Sequence, residues 1–375
     1  MIPFNHLKEI FLADTPLIDV RAPVEFHQGS LPGAVNLPIL NDDERALVGT
    51  TYKLRGQEEA VKLGHQMISG EVKESRLQAW KSFIESHPEA VLYCFRGGKR
   101  SQITQQWLHE QKIDRPLIQG GYKAARTFLM ESIGHYCMDH SLIVITGPTG
   151  SGKTRFLNDL SRSLPVLDLE KIAAHRGSAF GSLETPQPSQ SDFENRVAVE
   201  LLKQDAQFEE KNPLVLEDES RFIGSRYLPM PLFTKMRLSK VVWIVEDLAE
   251  RVQNIFADYI QNTSIGYAVQ AIPRCAEENE ILTSEALKTF ARYKNAVHAI
   301  HKKLGGQRAQ EVLADLQLSE SEFISCKDLS SNRVWIEKLL CWYYDPLYLG
   351  SLEKRQPEVL FKGSFEDSLE FLKKY

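Results

Sequence analysis

Two stretches of this chain carry residues spaced for chemistry on oxyanions. The first is Val91-Leu92-Tyr93-Cys94-Phe95-Arg96-Gly97-Gly98-Lys99-Arg100-Ser101. Its apolar start reads as a short buried strand, and helical spacing begins at Ser101. Between them a cysteine is followed by two glycines and three cations. Such a loop can turn its backbone N–H groups toward one centre, and it ends at the positive end of a helix. Both features favour a thiolate over a thiol. Most free cysteines are inert and buried, but the cations beside this sulfur make Cys94 the candidate nucleophile. Arg96, Gly97, Gly98, Lys99, Arg100 and Ser101 form the candidate anion-binding loop.

The second stretch is Gly147-Pro148-Thr149-Gly150-Ser151-Gly152-Lys153-Thr154, preceded by the apolar run Leu142–Thr146 and followed by helical spacing over 155–163. This is the Walker A pattern in its required strand–loop–helix context. Gly147, Gly150, Ser151 and Gly152 let the backbone close round phosphate oxygens, Lys153 adds a charge, and Thr154 can reach a metal. Further strands are expected at 165–169, 214–219 and 241–247, each ending in acid, as parallel strands do where ligands gather. Glu217 and Asp218 are the candidate Walker B acids near Mg²⁺. No metal site made by protein ligands alone is expected. His175 and Arg176 in a glycine-containing loop, with Arg221 and Arg226 near the third strand, are candidate contacts to RNA or phosphate.

These loops need elements to position them. A chain of 375 residues exceeds what one core usually organises, so two domains are expected. Five scattered cysteines form neither a zinc pattern nor a disulfide framework. A net charge of −5 argues against a general nucleic-acid coat but allows a local basic groove. With no signal-peptide pattern and no membrane-length apolar run, a cytoplasmic protein without membrane contact is expected. The fold class is α/β throughout: residues 1–130 as a first domain around Cys94, 131–140 as a linker where apolar periodicity lapses, and 141–375 as a parallel-sheet domain. Strands are expected at 16–21, 35–38, 91–93 and 116–122, and largely helices from Leu248 onward.

The first domain carries a resemblance. Asp19-Val20-Arg21, Glu25-Phe26, Gly29, Leu31-Pro32-Gly33-Ala34-Val35-Asn36-Leu37-Pro38, the Cys94 loop and Gly120-Gly121-Tyr122 together look like a rhodanese domain over about 130 residues. Five residues separate Cys94 from Arg100, a spacing that resembles phosphatases sharing that fold, so chalcogen transfer and phosphatase chemistry both stay open. Across the full chain, these features with His175–Gly181, Glu217–Arg221 and Tyr344–Tyr348 resemble the bacterial tRNA 2-selenouridine synthase family, a rhodanese-like domain fused to a P-loop NTPase-like domain with a helical C-terminal part. The resemblance implies replacement of sulfur in wobble 2-thiouridine by selenium from selenophosphate, through S-geranylation with geranyl diphosphate. It implies tRNA, by its anticodon loop, as partner. Cys94 would act in the selenium step, its loop would hold selenophosphate, and the Walker loop would hold a diphosphate. Whether that loop takes a nucleotide instead stays open, as does the oligomeric state. The alternative is a rhodanese-type sulfurtransferase or phosphatase regulated by a nucleotide-binding P-loop domain.

Overall fold

A computed structural model of the protein describes all residues except 183–184, 210 and 273–274. The chain forms two compact α/β units. One gathers Met1–Asp139, Gln187–Glu209 and Arg226–Leu232; the other gathers His140–Pro186, Glu210–Ser225 and Phe233–Tyr375.

In the first unit, β1 (Leu17–Asp19), β2 (Ala34–Asn36) and β3 (Val91–Tyr93) form a parallel sheet in the order β2-β1-β3. β1 and β3 are buried along their whole length, which is why they read as apolar runs rather than alternations. Ile18, Val20, Leu92 and Trp107 meet Trp80 in one core, and the Trp80 indole N–H donates to Leu37 O at 2.9 Å. Residues 116–122, expected as a strand, contribute only isolated bridges, Leu92 to Leu117 and Ile2 to Ile118. Pro116 lacks a ladder donor, and the helix Gly121–Asp139 begins almost at once.

The expected linker is a correction. Residues 131–139 are the last turns of that helix, with Ile133, Tyr136 and Cys137 buried. A second helix, Gln190–Gln207, packs on it and buries Phe193, Val197 and Leu201. Arg126 donates to Asn195 Oδ1 at 2.8 Å and pairs with Glu194, and Lys8 pairs with Asp205 at 2.7 Å. Its buried residues Tyr122, Ala125, Leu129, Ile133 and Tyr136 recur every three or four residues, so one apolar face runs through the expected linker and the chain does not leave the domain there.

In the second unit, β4 (Leu142–Thr146), β5 (Val166–Leu167), β6 (Leu214–Glu217), β7 (Lys240–Ile244) and β8 (Val359–Gly363) form an all-parallel sheet in the order β8-β7-β4-β6-β5. β4 lies at the centre and is buried throughout, so its C-terminal end delivers the Walker loop to the middle of the sheet edge. β8 departs from the expectation of largely helices after Leu248, and the helix Phe365–Lys374 follows it. A five-residue edge strand is too short for its period to be told from that of a helix. The remaining helices pack round Phe290, Tyr293, Val297, Phe323 and Trp335. Pro346 sits in the first turn of Asp345–Arg355 after a π-helical turn at Leu340–Tyr344. A first-turn proline forfeits no helix hydrogen bond that must be made.

Candidate functional site

The Cys94 loop is built by glycines packed backbone to backbone. Gly97, Gly120 and Gly121 all have positive φ. A Cβ on Gly97 would lie 2.9 Å from Gly120 N, and one on Gly121 would collide with Cys94 O and approach Gly97 N at 2.6 Å. Tyr122 N donates to Cys94 O at 2.8 Å and Lys123 N to Phe95 O at 3.0 Å. The loop is thereby clamped through its carbonyls. The backbone N–H groups of residues 95–101 find no acceptor among the described residues, so they are available to an oxyanion. Cys94 is buried, and its Sγ lies 3.1 Å from the buried Ser101 Oγ. Ser101 Oγ is also 3.1 Å from Gly98 O. Its single proton can serve either the carbonyl or the sulfur.

Asp19 and Arg21 brace the loop from beneath. Arg21 Nη2 contacts Asp19 Oδ2 at 2.6 Å and Gly29 O at 2.7 Å, and the guanidinium lies 4.1 Å from the centre of the Tyr122 ring. Burial opposes the charge on Arg21, but Asp19 outweighs it and raises the guanidinium above its ordinary range. Removing one partner of such a buried pair typically costs about 3–5 kcal/mol. This motif is structural.

Above Cys94 opens a cleft of about 1130 Å³. Ile39, Val48, Ile68, Ile103 and Trp107 give it an apolar wall, and Arg45, Lys53, Arg96, Lys99 and Arg100 give it positive charge. Arg96 and Lys99 are exposed, and among the described residues neither makes a hydrogen bond or ion pair. Arg100 differs. Its Nη2 donates to Glu25 Oε1 at 3.0 Å while Nη1 pairs with Oε2. Burial pushes the Glu25 carboxyl up, but the hydrogen bond and charge of Arg100 prevail and hold it below its usual range.

In the second unit, Gly150 and Gly152 have positive φ in the Walker loop. Arg251 Nε donates to Thr149 O and Asn254 Nδ2 to Gly150 O, each at 2.9 Å, while the N–H groups of Gly150, Gly152, Lys153 and Thr154 find no acceptor among the described residues. Arg251 is itself held by Asp345, with Nη1 to Oδ2 at 3.1 Å and Nη2 to Oδ1 at 2.5 Å. Asp345 in the Tyr-Asp-Pro run therefore fixes the loop at one remove. Lys153 Nζ donates to Gly147 O at 3.0 Å.

Beside this loop three carboxylates converge. Glu170, Glu217 and Glu219 each place an oxygen within 4.8 Å of the others, and Thr154 Oγ1 lies 3.4 Å from Glu170 Oε2. Burial raises Glu170 to about 7, against the opposing charge of Lys153, while burial and then repulsion from Glu170 raise Glu219 to about 8 and lift Glu217 well above its ordinary value. A set of hard oxygen donors that resists ionisation alone suits Mg²⁺. Of the two candidate Walker B acids, Glu217 joins this cluster. Asp218 does not: Thr146 Oγ1 donates to it at 2.8 Å and Arg355 at 2.5 Å. Glu170 and Glu219, which are not among the candidate acids, join Glu217 here, and their sequence signal is acid just past strands β5 and β6.

His175, Arg176 and Arg221 lie in the second unit and Arg226 in the first. Arg176 donates to Asp258 O at 2.5 Å and lies over the Tyr259 ring. Burial lowers the proton affinity of His175. Gly177 packs so closely on Glu170 and Glu219 that a Cβ would come within 2.8 Å of their carboxylates, which accounts for the glycine after Arg176.

Comparison with known proteins agrees with this two-unit architecture. Residues 140–375 match the family described as tRNA 2-selenouridine synthase AAA domain, and residues 5–127 match the rhodanese-like domain. A protein named tRNA 2-selenouridine synthase from Nitrosomonas europaea is 57% identical, covering 99% of this chain and 98% of its own. One of the same name from Bdellovibrio bacteriovorus is 56% identical over 98% and 97%, and one from Pseudomonas fluorescens is 44% identical over 98% and 96%. No helix among the described residues is long and apolar enough to cross a membrane.

Proposed function

Because this chain belongs to the tRNA 2-selenouridine synthase family, we propose that it converts wobble 2-thiouridine in tRNA to 2-selenouridine in two chemical steps, one at each phosphate-binding loop. The observation that carries this reading is the pairing of two loops with unspent N–H groups, one beside a buried cysteine and one beside Lys153 and three acids.

In the first step the thiocarbonyl sulfur attacks C1 of geranyl diphosphate, the C–O bond breaks, and diphosphate leaves with the electron pair. The Walker loop N–H groups and Lys153 hold that leaving group and stabilise its growing charge. Glu170, Glu217, Glu219 and Thr154 are the residues that would hold Mg²⁺. When bound, the ion supplies further positive charge to the diphosphate.

In the second step selenophosphate sits on the Cys94 loop, its oxygens facing the N–H groups of residues 95–101 and the side chains of Arg96 and Lys99. The Cys94 thiolate attacks phosphorus and takes the phosphoryl group, which frees hydroselenide. Hydroselenide adds at C2 of the S-geranylated base, and geranylthiolate departs. Water then returns Cys94 by releasing phosphate. Ser101 can donate to the sulfur as it leaves phosphorus. Arg100, bound to Glu25, shapes the loop and tunes its charge. The apolar wall of Ile39, Val48, Ile68, Ile103 and Trp107 suits the departing geranyl chain.

Mass spectrometry of nucleosides from 2-thiouridine tRNA, incubated with the protein and both phosphate substrates, tests the reading. A geranyl mass gain followed by selenium replacing sulfur supports it; unchanged tRNA refutes it.

A further inference from the structure

The second unit contains another cavity, of about 280 Å³, that borders the acid cluster through Glu219 and is otherwise lined by residues neither step uses. Asp218, Ser220, Arg237, Tyr348, Ser351 and Arg355 are among its lining residues. Its charges do not balance, since Arg221, Arg237 and Arg355 line it against Asp218 and Glu219. The oxygens of Asp218 are engaged, Oδ2 by Thr146 Oγ1 at 2.8 Å and Oδ1 by Arg355 Nη1 at 2.5 Å. Arg237 reaches Oδ1 only at 3.8 Å and makes no hydrogen bond among the described residues. Two guanidiniums thus share one carboxylate. Burial, then repulsion from Arg355, lowers the proton affinity of Arg237.

Arg355 sharpens the point. Its side chain is only 4% exposed, its Nη2 donates to Met236 O at 2.9 Å, and its buried Nε has no acceptor. An unspent donor on a buried cation is costly unless a ligand completes it. The fork geometry of arginine matches tetrahedral and planar oxyanions alike, and two cations on one carboxylate favour a ligand of high charge.

We propose that this cavity is a third phosphate-binding site, in which Arg237 and Arg355 hold a phosphate group. Choosing phosphate over other anions rests on the functional reading above, in which every substrate carries one. The group can belong to the tRNA backbone or to a small phosphate, and the test separates them.

Binding of 2-thiouridine tRNA to the full chain would be measured across salt from about 50 to 200 mM, for the unaltered protein, Arg237→Gln and Arg237→Lys. Thermal stabilisation by inorganic phosphate would be measured on the same three proteins, whose circular dichroism confirms folding. A backbone contact predicts about three- to tenfold weaker tRNA binding in Arg237→Gln and a salt slope shallower by about one, with the slope kept in Arg237→Lys. A small-phosphate site predicts unchanged tRNA binding but reduced stabilisation by phosphate in Arg237→Gln, again restored by lysine. If both quantities match the unaltered protein in Arg237→Gln, the proposal is overturned. If the unaltered protein binds no tRNA, the functional reading fails while the phosphate measurement still decides this site.

Discussion

Arg100 turns both terminal nitrogens of its guanidinium onto Glu25, across the cleft that also exposes the Cys94 loop. The cation that the Cys-x5-Arg spacing singles out is therefore partly neutralised by a carboxylate 75 positions earlier in the chain.

That pairing has a direct consequence for reactivity. Glu25→Gln removes the compensating charge and leaves Arg100 as a full cation in the cleft. Alkylation of Cys94 by iodoacetamide near neutral pH should accelerate about two- to fivefold, since nearby positive charge favours the thiolate. A rate that is unchanged or slower would show that Glu25 acts only as a structural tether.

Gly121 offers a test of the loop clamp. Alanine there combines positive φ with a collision against Cys94 O. Gly121→Ala should lower stability by at least about 2 kcal/mol in urea unfolding and disturb Cys94 alkylation. Gly134→Ala, in the same helix with open space at its Cβ position, is the control and should leave both nearly unaltered. Equal behaviour of the two variants would contradict the packing described.

The acid cluster predicts a pH dependence with a definite sign. In the folded chain Glu170 and Glu219 titrate at about 7 and about 8, against 4.5 for an ordinary glutamate. Between those values the folded state holds protons that the unfolded state has released, so stability falls as pH rises through this window. Mg²⁺ competes with those protons. Saturating Mg²⁺ should therefore raise the melting temperature more near about pH 8 than near about pH 6, and Glu217→Gln should weaken the effect. Equal stabilisation at both pH values would argue against these three residues as the ligands.

Much of this site was legible because its parts are local. Gly147–Thr154 lies between a strand and a helix within one stretch of chain, and Cys94 shares its loop with the glycines and cations that define it. Asp19 and Arg21 were also visible, though as an acid–base pair whose structural role needed the fold. What the sequence could not show depends on distant segments. Glu170 and Glu219 meet only because β5 and β6 are neighbours in the sheet. Arg355 reaches Asp218 from the helix Asp345–Arg355, 137 positions along the chain. The helix Gln190–Gln207 leaves the second unit's stretch of chain to complete the first, because its apolar face fits Gly121–Asp139. Periodicity reports which residues a helix buries and is silent on which neighbour covers them.

The central claim is that two chemical steps are divided between two loops, and nucleoside mass spectrometry of 2-thiouridine tRNA with Cys94→Ala and Lys153→Ala tests it most directly. With geranyl diphosphate and selenophosphate supplied, Cys94→Ala should accumulate the S-geranyl nucleoside and form no 2-selenouridine. Lys153→Ala should form little S-geranyl nucleoside, yet should convert tRNA already S-geranylated to the selenium product. Loss of both steps in either variant, or full selenium incorporation by Cys94→Ala, would contradict the division.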